Sequence, residues 1–124
     1  MRWQFLGPVE VARVLRALPG VELARRSEGP GPLVRRLREE GRGCVRRSST
    51  ERSRLRAVIR ALDVRLPGGG NCYRRALLEI ALDPDTAEEP LYMGLVAAGG
   101  PRSGHAWLGS DGDEARSYDA VVAI

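Results

Sequence analysis

The run Pro67-Gly68-Gly69-Gly70-Asn71-Cys72 limits what this chain can become more than any other stretch. Consecutive glycines lose more backbone freedom on ordering than other residues and sit poorly inside a helix or strand. They suit a tight turn, and the chain divides there. Before the turn, apolar residues recur at three- and four-residue spacing; from Pro90 onward they alternate. Asn71 stands where a helix N-cap would stand, and Tyr73, Ala76, Leu77, Ile80 and Ala81 then repeat at helical spacing. Cys72 therefore falls in the first turn of a helix.

Residues 1–66 read as a basic helical portion. Pro8 suits a first helical turn, Val11, Val14, Leu15 and Leu18 mark one face, and Pro19-Gly20 is expected to stop that helix. Glu28 to Pro32 reads as a loop, and Leu33, Val34 and Leu37 support a short helix ending at Gly41. Ser48-Ser49-Thr50 supplies the cap of an amphipathic helix through Leu55, Val58, Ile59 and Leu62. Residues 67–124 add the Cys72 helix, closed near Asp83-Pro84, and three strands read as an antiparallel meander. The expected architecture is a single α+β domain over 1–124, with helices first and a small antiparallel sheet after them.

Charge is distributed unevenly. All 20 basic residues are Arg, and only Arg102 and Arg116 lie beyond Arg75. Acids gather from Glu79 onward. Such a division serves an acidic partner or mutual attraction between the two halves. Arg52, Arg56 and Arg60 recur at four-residue spacing on one helix face and are the candidate partner-binding set. Nucleic acid is disfavoured, because aromatic residues are only 5% of the chain and no recognised binding motif is present. No apolar run is long enough for a membrane span or a signal peptide. Two cysteines without an export signal point to free thiols in a reducing cytoplasm. One histidine and two separated cysteines make a zinc site a poor expectation, and no cofactor is expected.

A cysteine is commonly a small buried apolar residue, and a lone histidine commonly a hydrogen-bonded structural one. Cys72 differs from Cys44 in its glycine-framed helix start, where the positive end of the dipole favours the nucleophilic anion of sulfur. His105, the one histidine, follows on a later strand. Cys72 as nucleophile and His105 as proton shuttle form the candidate pair. The Cys72 backbone N–H would help hold an oxyanion, with Asn71 or Tyr73 as the further donor. Asp119 is the candidate third member. An odd-length Asp111-Gly112-Asp113 loop sets it directly opposite His105, with Cβ atoms roughly 4.5–5.5 Å apart. A two-residue loop would place Tyr118 there instead.

The proline before a Cys-led amphipathic helix, the strand ending Gly94-Leu95-Val96, and His105-Ala106-Trp107 together resemble the transglutaminase-like B2 proteins of lasso peptide biosynthesis. The resemblance runs from about Leu55 to Leu108. Two departures are a short N-terminal helix, Val11 to Leu18, and Leu108-Gly109 where those proteins usually carry Val-Glu. The resemblance implies a transglutaminase-like fold and a Cys-His-Asp peptidase. Such an enzyme removes the leader from a ribosomally made precursor peptide, which a separate leader-recognition protein presents. A different acyl acceptor would make the same site a transglutaminase or ligase. The competing class is a non-enzymatic Arg-rich domain that binds an acidic peptide or nucleic acid.

Overall fold

The computed structural model describes residues 7–96, 103–109 and 120–124. Within them, helices α1 (Pro8–Ser27), α2 (Pro30–Arg42), α3 (Ser49–Asp63) and α4 (Cys72–Leu82) precede a 3-10 turn over Thr86–Glu88. Strands β1 (Leu91–Val96), β2 (Ser103–Leu108) and β3 (Ala120–Ala123) follow, and the chain is α+β. None of the described helices is long and apolar enough to cross a membrane.

Local chemistry sets most of the helix starts. Pro8 and Pro30 open α1 and α2, where a missing N–H costs no hydrogen bond. Ser48 and Glu51 form a reciprocal capping box on α3, at 3.1 and 3.2 Å. Two expectations are corrected here. Pro30-Gly31-Pro32 is the first turn of α2 rather than loop, and α1 continues through Pro19-Gly20 to Ser27. A proline inside a helix costs about 3 kcal/mol. Val14, Leu18, Val21 and Ala24 nevertheless form one buried stripe across it, which outweighs the local penalty. The N-terminal helix is thus long rather than short.

Helix α4 is the hub. It packs against α1, α2, α3 and β2, and Leu77, Leu78 and Ile80 are fully buried. Helices α2 and α4 approach so closely at Gly41 that an added Cβ would lie 2.0 Å from the Ile80 carbonyl oxygen.

The sheet order is β2-β1-β3, all antiparallel, which corrects the expected meander. Leu91 faces Leu108, Tyr92 faces Trp107, Met93 faces Ala106 and Gly94 faces His105. On its other edge β1 sets Gly94 against Val121. Leu91, Ala106 and Leu108 belong to the core shared with the helices, and Met93 packs against it. Strand alternation puts Tyr92, Trp107 and His105 on the opposite face.

The α2–α4 contact makes Gly41→Ala a sharp test. Backbone, not a flexible side chain, blocks the new methyl, so the variant is expected to lose about 3 kcal/mol of stability. A fall in the urea midpoint checks it; an unchanged midpoint would show that the two helices do not meet this closely.

Candidate active site

The Cys72 turn is built as its residues suggest. Gly68 and Gly70 take φ of 72° and 82°, a region that side-chain-bearing residues rarely enter. Asn71 caps α4, its Oδ1 accepting the Arg74 N–H at 2.9 Å. Cys72 is the first residue of the helix, so its N–H and that of Tyr73 belong to the turn no intrahelical carbonyl satisfies. The sulfur rests against β2: Cys72 Sγ accepts the backbone N–H of Ala106 at 3.1 Å. The next residue back is His105.

Half-buried His105 is steadied by an aromatic ladder. Its ring stacks on Trp107 at 5.8 Å between centroids and 17° between planes, and Trp107 stacks on Tyr92 at 5.7 Å. Gly94 stands across from His105, so no β1 side chain competes for the imidazole's space. Cys72 and His105 together line two clefts. One, of about 270 Å³, carries Arg56, Arg60, Arg75 and Glu79. The other, of about 330 Å³, carries Asn71, Tyr73, Met93 and Gly94. Asn71 has only its amide N–H groups left for an oxyanion, since its oxygen is committed to the cap. The Tyr73 hydroxyl is buried without a hydrogen-bond partner among the described residues. Burial pushes that phenol up, which keeps a proton on it to donate.

Beneath the turn lies a network the sequence reading missed. Arg74 and Asp63 are both fully buried. Arg74 Nε and NH2 donate to Asp63 Oδ1 at 2.8 and 2.5 Å, and NH2 also reaches the Asp63 carbonyl at 3.1 Å. Arg74 NH1 bonds Glu22 of α1 at 3.1 Å. The other Asp63 oxygen accepts Gly70 N–H at 3.1 Å and Arg75 NH1 at 3.0 Å. One carboxylate thus joins the end of α3, the glycine turn and the start of α4. The available signal was spacing: Arg74 shares the inner helical stripe with Leu77, Leu78 and Ala81.

The Arg face of α3 is largely committed inside the molecule. Arg52 pairs with Asp83 at 3.2 Å and with Asp85, and Arg56 pairs with Glu79. Exposed Arg60 makes no ion pair among the described residues and lies at the first cleft. Asp119 lies outside the described residues. The register that set it directly opposite His105 is overturned, because β1 separates β2 from β3. No family model, curated protein or solved structure matches this chain.

Two measurements follow from the network. Asp63→Asn keeps the shape but strands the buried Arg74 charge, and is expected to cost about 3–5 kcal/mol in chemical denaturation. A loss below about 1 kcal/mol would show that the pair is not buried as described. Glu22 is held at about 2, below its ordinary 4.5, first by the hydrogen bond from Arg25 and then by that from Arg74. Its folded value is depressed, so the unfolded chain takes the proton first and stability falls with pH. The Glu22 contribution is complete above 4.5 and lost as pH falls through about 2. Glu22→Gln should flatten the stability profile in that window; parallel profiles would remove Glu22 from the network.

Proposed function

We propose that the protein is a cysteine peptidase that cleaves the leader from a ribosomally synthesised precursor peptide. The observation that carries this reading is that Cys72, at a helix start, and His105 line the same two clefts. The resemblance to the transglutaminase-like B2 proteins supplies the substrate class and the transglutaminase-like fold. It also supplies a separate leader-recognition protein as partner, and the two free cysteines favour the reducing cytoplasm as the proposed place of action.

In this mechanism His105 takes the Cys72 proton and Sγ attacks the scissile carbonyl carbon. The oxyanion forms beside the Cys72 N–H, and Tyr73 or the Asn71 amide supplies the further donor. The C–N bond breaks as the imidazolium returns its proton to the leaving amine, giving a thioester. Water, deprotonated by His105, then attacks the thioester carbon and releases the carboxylate product and the thiol. Asp119 is proposed as the acid that orients the imidazole, on the resemblance alone.

The molecule contains its own control thiol. Cys44 lies at the opposite end of α4, with its Sγ 3.5 Å from the carbonyl oxygens of Glu40 and Ala81. Iodoacetamide is therefore expected to label Cys72 ahead of Cys44, and more slowly in His105→Ala. Hydrolysis of a precursor peptide should vanish in Cys72→Ala and fall by about 10²–10⁴-fold in His105→Ala. Equal labelling of the two thiols, with peptide binding intact in Cys72→Ala, would instead favour the non-enzymatic Arg-rich domain.

A further inference from the structure

We infer that the site selects peptides bearing an acidic side chain on one side of the cleaved bond and an apolar side chain on the other. This inference rests on the peptidase reading and specifies its substrate. The two clefts that meet at Cys72 and His105 differ in chemistry. The first presents the guanidinium groups of Arg56, Arg60 and Arg75 against the carboxylate of Glu79. Arg56 is bonded to Glu79. Arg75 shares Asp63 with the buried Arg74, so that one carboxylate faces two cations. Arg60 makes no ion pair among the described residues and is exposed. The cleft therefore carries an excess of positive charge beside the sulfur, and Arg60 is the group placed to meet an incoming carboxylate. The second cleft has Tyr73, Met93 and Gly94 around it, a lining for an apolar side chain. A peptide crossing the sulfur runs from one cleft into the other.

The test uses a panel of peptides with a central apolar residue and Glu or Gln at each of the three positions on either side. Cleavage sites are read by mass spectrometry, and iodoacetamide labelling of Cys72 and Cys44 is followed on the same preparations. At one position, on the side away from the apolar residue, Glu is expected to exceed Gln by about fivefold in kcat/KM, the scale of an exposed ion pair. That ratio should shrink as salt rises, approach one in Arg60→Gln and fall below one in Arg60→Glu. Equal rates for Glu and Gln at every position, or a preference unchanged in Arg60→Gln, would overturn the inference. So would a panel in which nothing is cleaved. Iodoacetamide then separates the two failures. Preferential, His105-dependent labelling of Cys72 leaves the peptidase reading standing without this specificity, and equal labelling removes both.

Discussion

The start of α4 depends on a single ion pair. Arg74 and Asp63 are both withdrawn completely from water. Removing two charges from water costs several kcal/mol for each, and their attraction repays this only when the remaining donors and acceptors are also satisfied. Here they are. Asp63 accepts from Arg74, Arg75 and the Gly70 N–H, while Arg74 reaches Asp63, Glu22 and backbone oxygens. The consequence is geometric rather than merely stabilising. The glycine turn has little conformational preference of its own, so its path is set by the carboxylate that holds Gly70. Cys72, two residues on, inherits that position.

The charge division of the chain has a related explanation. Its basic first part and acidic middle meet through Arg42–Glu88, Arg52–Asp83 and Arg56–Glu79. The exposed Arg42–Glu88 pair contributes little, whereas the other two set partly exposed arginines on the buried carboxylates of Asp83 and Glu79. Their effect is to register α2 and α3 against the C-terminal end of α4 and the turn after it. The spacing of Arg52, Arg56 and Arg60 therefore spells an internal contact for its first two members. The second and third both line the first cleft, and only Arg60 does so without an ion pair among the described residues.

How much of this was legible depends on the range of the interaction. Pro8, Ser48 and Asn71 act through neighbours a few residues away, and each helix start they imply is present. Pro19 has an equally clear local signal that points the wrong way. Its penalty is overruled by a buried stripe that extends past it to Ala24, and only packing reveals that. The strand order fails for a similar reason. Short connections favour neighbouring strands, which led to the meander. The apolar residues on both faces of β1 report burial of those faces and not which edges are paired, so the strand order could not be read from them. The register argued for Asp119 rested on β2 lying beside β3 and fails with that order. Arg74 was hidden by its type: an arginine is expected at a surface, and nothing local names Asp63 as its counter-ion.

What links the fold to the candidate chemistry is the outer edge of β2. The Ala106 N–H turns away from β1 and finds Cys72 Sγ, so the sulfur occupies a place that another strand would otherwise fill. Two independent constraints thus converge on one atom. The Asp63 network fixes the sulfur along α4, and the Ala106 N–H fixes it across the sheet. Because strand residues alternate, the neighbour of Ala106 directs its imidazole to the other face, where Trp107 and Tyr92 hold the ring. The imidazole therefore stands on the far face of β2 while the thiol sits at the strand edge, where an Arg-lined cleft and an apolar one share Cys72, His105 and Ala106. A side chain from either element alone could not create that junction. It exists because the buried pair sets where α4 begins and the pairing with β1 sets which residues of β2 face outward.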